Sequence, residues 1–410
     1  MSSRAVLRSD AVFARFFAAH AISFTGTTIT TIVMPIALYQ RTGSAGWTAL
    51  LTALQTVPYL LFGLLAGVVA DRGRRRALMI GSDLIAAVVV GSVPLADAFG
   101  ILTTGHLVVA AAGLATCFVW FDAANFGALP ALVGRDLVVR AVLALWTFDS
   151  VALIGGPAVG ALLATTFTPS IALTIDAASY VVSALLIAGI SRPFANNATE
   201  GTHASIRSDM VEGLRHLWDN RVLRALTFSG FANSVSFGAV LGLTVPFAVE
   251  RLGLTDHDAR IGLLTGVGAL GSLVVALALP RIGGGKAIPA NTSFGLVGSA
   301  LAMAAIAFTT NFAVALVLWP LWDSFVHLAI LNGIAYRQQT LPDDMQGRVN
   351  VVARMVSWGG QPFGAALGGL GATVVGLRPS LLVLAAPVAV ASVLSWRALR
   401  SSEVATNQRD

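Results

Sequence analysis

Long apolar stretches alternate with short polar ones along almost the whole chain. Twelve of these stretches are close to or above the roughly 20 residues that cross a bilayer as an α-helix. They lie at 16–40, 47–70, 77–99, 107–133, 142–167, 171–190, 223–249, 261–279, 288–309, 312–334, 349–375 and 381–396. The pattern predicts an all-α integral membrane protein with twelve transmembrane helices, called spans 1 to 12 in chain order.

Composition and charge agree with a membrane location. Of 410 residues, 56% are hydrophobic and 11% charged, whereas an average soluble domain has about 25% charged residues. The net charge of +6 does not require a nucleic-acid partner, because the positive residues follow the loops. If the N-terminus is cytoplasmic, all but four of the 26 lysines and arginines lie in or beside cytoplasmic segments. We therefore expect both termini to be cytoplasmic.

The first six spans and the last six repeat each other. MPIALYQRTG at 34–43 closes span 1 as VPFAVERLG at 245–253 closes span 7. LPALVGRDLVVRAVLALW at 129–146 corresponds to LPDDMQGRVNVVARMVSW at 341–358. An even number of spans per half makes the two repeats parallel, related by an axis along the membrane normal. We predict a six-helix half over 1–190, a cytoplasmic linker with an amphipathic helix over 191–222, a second half over 223–400 and a cytoplasmic tail over 401–410.

The loop between spans 2 and 3, GVVADRGRRR, concentrates charge that cannot enter hydrocarbon. It predicts a short aqueous turn between two antiparallel helices. We interpret it as a cytoplasmic gating latch, in which Asp71 pairs with arginine and faces a helix end. Its predicted members are Gly67, Asp71, Arg72, Arg75 and Arg76 of the loop, with Asp83 and Asp122 towards the cytoplasmic ends of spans 3 and 4.

This loop resembles the signature between helices 2 and 3 of the major facilitator superfamily, with Arg74 in place of the usual second glycine. RFFAAHAISFTG, FDAANFGALPALVGRD, GGPAVGALL and LPDDMQGRVN resemble the bacterial macrolide-efflux and enterobactin-exporter branch. The resemblance implies the major facilitator fold, with two pseudo-symmetric halves, in a bacterial inner membrane. It also implies export of a hydrophobic or amphiphilic drug, antibiotic or siderophore by proton antiport and alternating access. Thr27 stands where relatives commonly carry an acid, so no proton role is carried over to it.

Glycines four residues apart recur in spans 2, 5, 8 and 11. This spacing clears one helix face so that another helix can approach closely. In span 5 the motif is Gly156-Pro157-Ala-Val-Gly160, which resembles the glycine–proline motif of antiporters. The family resemblance implies that these four spans form the contact between the two halves. Generic close packing is the alternative.

Acidic side chains within a span cost about 2.5 to 3.5 kcal/mol on insertion scales, which makes them candidates for function. Asp323 and His327 lie one turn apart in the middle of span 10 and share a helix face. We expect this pair to couple transport to protons, with a hydrogen-bonded structural pair as the alternative. Asp149 in span 5 is open between a proton site and a structural pair. Asp176 in span 6 is expected to bond to neighbouring hydroxyls.

The resemblance further implies that spans 1, 4, 7 and 10 line a central cavity. The cavity candidates on these spans are His20, Trp120, Asn233 and Trp319. An apolar and aromatic cavity favours an exporter of amphiphiles. An uptake carrier for a sugar or metabolite would instead have a polar, charge-studded cavity. A membrane receptor without transport would need neither the latch nor the glycine faces.

Motifs of other chemistries are missing from the sequence. It has no G-x-x-x-x-G-K-[ST] for ATP, no H-E-x-x-H zinc helix and no G-x-S-x-G nucleophile turn. Its one cysteine excludes a disulfide framework. We therefore expect no enzymatic activity, no cofactor and no metal, with the proton gradient as the energy source. The expected partners are a small-molecule substrate and the lipid bilayer, and the expected state is a monomer.

Overall fold

The computed structural model describes residues 10–71, 75–134, 137–194, 206–282, 288–341 and 343–407. Within these ranges the chain forms fifteen α-helices, α1 to α15, and no strands. The first half and the linker contain α1 Ala11–Thr42, α2 Ala45–Asp71, α3 Arg75–Ala98, α4 Thr104–Val133, α5 Val138–Thr166, α6 Pro169–Ala188 and α7 Ile206–Asp219. The second half contains α8 Arg221–Glu250, α9 Arg260–Gly268, α10 Leu270–Ile282, α11 Ile288–Phe308, α12 Phe312–Thr340, α13 Asp343–Trp358, α14 Gly360–Val375 and α15 Leu377–Asn407.

The helices match the predicted spans, with two spans interrupted. In the described part of the chain, eleven segments are long and apolar enough to cross a membrane, and they correspond to spans 1 to 10 and 12. Span 8 consists of α9 and α10, which are separated at Ala269. Span 11 consists of α13 and α14, which meet at Gly359. Neither of these two helices is long enough to cross a membrane alone, because each has 16 residues, and α13 also carries several charged and polar residues.

Polar side chains cap several helix starts. Asp10 accepts the N–H of Val12 at 2.9 Å at the start of α1, and Asn220 and Asn311 do the same for α8 and α12. Such caps satisfy N–H groups that have no acceptor within the helix. Partial burial raises the pKa of the Asp10 carboxyl, but the bonds from Val12 and from the Arg192 guanidinium outweigh it and leave the pKa below its usual value.

The sequence repeat is also a repeat of helix packing. In the first half, α1 packs on α5 and α6, and α3 packs on α4 and α6. In the second half, α8 packs on α14 and α15, and α11 packs on α12 and α15. These are the same four pairings, with six spans added to each number. The predicted internal repeat is therefore present in the tertiary structure.

The glycines of spans 5 and 11 provide the close approach in one of these pairings. A Cβ on Gly156 would overlap Thr28 of α1, and one on Gly160 would lie 2.8 Å from the Ile29 carbonyl oxygen. On α14, a Cβ on Gly360 or Gly364 would overlap backbone atoms of α8. The packing role of Gly156 and Gly160 is thus confirmed. Gly156 and Gly160 themselves face α1 within the first half. Span 5 also contacts span 8 as expected, because a Cβ on Gly262 of α9 would overlap the Pro157 carbonyl oxygen.

The described residues belong to two compact units. The first is drawn from Met1–Gly43, Leu54–Thr199 and Leu254–Gly266, and the second from Ser44–Ala53, Glu200–Gly253 and Val267–Asp410. Each unit therefore consists of one sequence half and a short segment of the other half. The first unit includes Leu254–Gly266, which contains most of α9, and the second includes Ser44–Ala53, which contains the start of α2. In the first unit, Gly262 and Gly266 lie where a Cβ would overlap the carbonyls of Pro157 and Ile154.

The linker forms the predicted amphipathic helix, α7. Leu217 of α7 is buried and packs on Val352 and Ala353 of α13 within the second unit. Val211 and Trp218 are more than half exposed, and the guanidinium carbon of Arg224 lies 5.8 Å from the Trp218 ring centroid. The linker helix is thus attached to the second half by an apolar face.

Candidate functional site

The first compact unit contains a cavity of about 150 Å³. Its wall is built by α1, α3, α4, α5 and α6, all from the first half. The wall is mostly apolar, and the described residues that form it include no lysine or arginine. Its aromatic residues are Phe24, Phe118, Phe121, Trp146 and Tyr180, and its carboxylates are Asp83, Asp122 and Asp149.

A histidine and a carboxylate meet in this wall. His20 Nε2 of α1 lies 2.7 Å from Asp149 Oδ1 of α5. The imidazole also stacks on Phe24, with ring centroids 5.5 Å apart. His20 Nδ1 has no hydrogen-bond partner among the described residues. A neutral imidazole can donate Nε2–H to the carboxylate, and a further proton can be held at Nδ1. The pair can therefore bind and release a proton at the edge of the cavity.

Asp83 and Asp122, predicted as latch members, are placed in the same cavity wall. Asp83 is 2% exposed, and its Oδ2 has no hydrogen-bond partner in the described part of the chain. Both carboxylates therefore line the cavity, and their role in the latch stays a prediction. Asp176, in contrast, accepts hydrogen bonds from Thr30 and Ser179, which confirms its predicted bonding to neighbouring hydroxyls.

Asp323 and His327 do lie together in the second unit, as predicted. His327 Nδ1 is 3.2 Å from Asp323 Oδ2. The same carboxylate oxygen accepts the backbone N–H of Ser272 at 2.7 Å. Ser272 is the third residue of α10, so Asp323 of α12 caps the helix that begins after the break in span 8. A Cβ on Gly271 would overlap the Pro320 carbonyl oxygen, and this glycine therefore lets α12 approach the break.

The other cavity candidates occupy separate places. Trp120 lines a groove between α3 and α4. Asn233 lines a cavity in the second unit and donates from Nδ2 to the Val326 carbonyl at 3.1 Å. Trp319 is 4% exposed and packs on Phe247 with ring centroids 5.3 Å apart. Of the four predicted cavity residues, the first-half cavity contains His20.

Two latch arginines bind backbone carbonyls of the first half. Arg75 Nε donates to the Ala70 carbonyl at 3.1 Å, and its Nη1 donates to the Gly127 carbonyl at 2.6 Å. Arg76 donates to the Ala188 carbonyl, at the end of α6. Arg72 and the side chain of Asp71 lie outside the described residues, so the gating role of the loop stays a prediction.

The His20 and Asp149 contact was not predicted, although each residue was singled out. They are 129 positions apart, and no local spacing indicates their pairing. In the described part of the chain, no three His, Cys, Asp or Glu side chains are arranged to hold a metal ion.

Comparison with known proteins identifies the class. Residues 16–336 match the family model of the Major Facilitator Superfamily, and the chain belongs to that family. It is therefore a multi-pass membrane transporter of small molecules and not an enzyme, and its all-helical fold of twelve spans is confirmed.

Individual relatives are efflux proteins at modest identity. The chain is 28% identical over 392 residues to the multidrug efflux pump Tap of Mycolicibacterium fortuitum, covering 90% of this chain and 91% of Tap. It is 27% identical over 219 residues to macrolide efflux protein A of Streptococcus pyogenes, covering 53% and 54% of the two chains. Among solved structures, a bacterial homologue of the human lysosomal transporter Spinster, inward-facing and unoccupied, gives a TM-score of 0.76 at 14% identity, covering 95% of this chain and 96% of that one.

Proposed function

We propose that this transporter exports hydrophobic or amphiphilic small molecules, preferably those with a basic amine, by proton antiport and alternating access. The observation that carries the proposal is the first-half cavity, where three carboxylates lie within an aromatic wall and no described lining residue is a lysine or arginine. Such a wall favours a cation with apolar substituents, because aromatic faces attract cations by about 0.5 to 2 kcal/mol.

The coupling site in this proposal is the pair of His20 and Asp149. A protonated pair has lost the negative charge that holds an amine in the cavity. A bound amine, in turn, stabilises the charged carboxylate and opposes protonation. Proton and substrate therefore compete for Asp149. Because one leaves as the other binds, inward proton flow can drive outward substrate flow.

The relatives support export, since both are named as efflux proteins. The uptake carrier considered above would have a polar, charge-studded cavity, whereas this wall is mostly apolar. The proposal includes a monomer in a bacterial inner membrane with both termini cytoplasmic, which is the orientation that the arginine distribution favours.

The test is transport in proteoliposomes with a fluorescent lipophilic cation such as ethidium. The wild type should accumulate the cation against its gradient when a pH difference is imposed. Asp149→Asn should still exchange the cation at equal pH, more weakly than wild type because only Asp83 and Asp122 then supply negative charge to the wall, and it should not accumulate the cation. Asp97→Asn is the matched control, because Asp97 is an exposed carboxylate that bonds Ser170 outside the cavity. Accumulation by Asp149→Asn at the wild-type level would reject the coupling site, and a wild type that moves neutral sugars but no cation would reject the substrate class.

A further inference from the structure

A second cavity, of about 320 Å³, lies within the second compact unit among α8, α11, α12 and α13. Its charge is opposite to that of the first-half cavity. Arg337 of α12 and Arg354 of α13 line it, and its described lining residues include no aspartate or glutamate. The rest of the wall is neutral and partly apolar, with Asn233, Asn350, Leu296 and Ile334 among its residues.

Arg337 is the central group of this cavity. Its Nε donates to Asn350 Oδ1 at 2.7 Å, so a neutral amide takes one of its five N–H donors. No carboxylate lies within ion-pair distance of Arg337 in the described part of the chain. A partly buried guanidinium that meets no described carboxylate is unfavourable, because desolvation of the charge is not fully repaid.

Arg354 adds a second positive charge to the same wall. Its guanidinium carbon lies 6.0 Å from the ring centroid of Trp358, which also lines the cavity. Guanidinium groups match phosphate and carboxylate oxygens with paired N–H donors.

We propose that this cavity is a binding site for a phosphate-bearing anion, held by Arg337 with Arg354 contributing charge. The apolar part of the wall suits an acyl chain, and the C-terminal end of α12 lies on the predicted cytoplasmic side. An anionic phospholipid of the cytoplasmic leaflet and a free phosphate compound share this chemistry. The residues of this site differ from those of the first-half cavity, and the proposal does not depend on the proposed transport substrate.

Native mass spectrometry and a binding titration with the purified full chain test the proposal. The probes are dioleoyl phosphatidylglycerol, dioleoyl phosphatidylcholine and inorganic phosphate. Wild type should bind phosphatidylglycerol at least tenfold more tightly than phosphatidylcholine. Displacement of that lipid by millimolar inorganic phosphate would show that phosphate alone occupies the site. Binding of the lipid without displacement would show that the acyl chains contribute.

Asn350→Asp is the decisive variant, because it places a carboxylate on Arg337 and leaves the arginine in position. It should lower affinity for phosphatidylglycerol at least tenfold and raise the melting temperature of the lipid-free protein. Arg337→Gln should lower the affinity similarly, whereas Arg337→Lys should retain part of it. Arg397→Gln, an exposed arginine of the same half, is the control and should bind as wild type. Equal binding of the two lipids by wild type, or undiminished binding by Asn350→Asp, would overturn the proposal.

Discussion

Substitution of Asp323 separates a structural role from a role in proton coupling. The Asp323 carboxylate, on α12, accepts the backbone N–H of Ser272 at 2.7 Å and lies 3.2 Å from His327 Nδ1. It is 6% exposed. Because α10 begins at Leu270, the N–H of Ser272 belongs to the first turn, where no acceptor within the helix exists. Asp323 is therefore a cap supplied by a neighbouring helix.

The cost of removing the cap follows from these contacts. A hydrogen bond to a charged group contributes about 1.5 to 3 kcal/mol, and an anion at a helix N-terminus contributes up to about 2 kcal/mol when partly buried. Asp323→Ala removes both contributions and should destabilise the fold by about 2 to 4 kcal/mol. Asp323→Asn keeps an oxygen for the Ser272 N–H and should cost about 1 kcal/mol.

The stability of the purified variants is measured by thermal unfolding followed by tryptophan fluorescence. The melting temperature should fall from wild type to Asp323→Asn and further to Asp323→Ala. Ser272→Ala keeps the capped backbone N–H and should stay close to wild type. If Asp323→Ala is as stable as Asp323→Asn, the cap does not contribute and the reasoning is refuted.

Transport by the same variants tests the proton prediction. If Asp323 carries the coupled proton, Asp323→Asn should fold and exchange labelled substrate at equal pH but should not accumulate it under a pH difference. Accumulation at the wild-type level would leave Asp323 with the capping role and Asp149 as the coupling carboxylate. The two variants thus distinguish the two hypotheses for Asp323 and His327, which are a proton-coupling pair and a hydrogen-bonded structural pair.

Two further predictions concern packing and orientation. Gly160→Leu should reduce the yield of folded protein, because overpacking against the α1 backbone costs about 1 to 3 kcal/mol. Gly155→Leu, where a Cβ meets no atom within 4 Å, should be tolerated, and equal yields of the two variants would contradict the packing. In a Cys117→Ala background, Asp219→Cys should react with an impermeant thiol reagent only from the cytoplasmic side and Thr255→Cys only from outside. The reverse labelling would invert the topology.

Local geometry was predictable from the sequence, whereas contacts between helices were not. Helical spacing alone places His327 beside Asp323, and the structure has them 3.2 Å apart. The contact between His20 and Asp149 joins α1 and α5, and nothing in the local pattern of either span indicates it. The break of span 8 was also missed, because its apolar residues continue without proline. Gly268 and Gly271 mark the break, but glycine in a span equally indicates close packing.

The arginines of the first half contribute both to membrane orientation and to contacts between helices. By the positive-inside rule they favour the predicted orientation, and the structure shows that several also bind carbonyls at helix ends. Arg15 Nη1 donates to the Gly189 carbonyl at 2.8 Å, at the C-cap of α6, and Arg192 donates to the Leu132 carbonyl in the last turn of α4.

These contacts give a physical reason for arginine at such positions. The last carbonyls of a helix lack intrahelical donors and carry the negative end of its dipole. Arginine supplies five N–H donors in a rigid fork, so one side chain can bind carbonyls of several chain segments, as Arg75 does with Ala70 and Gly127. Lysine would keep the charge and the orientation but lose that geometry. Charge alone therefore does not account for the arginines, because their position also joins the ends of α2, α4 and α6 within the first unit.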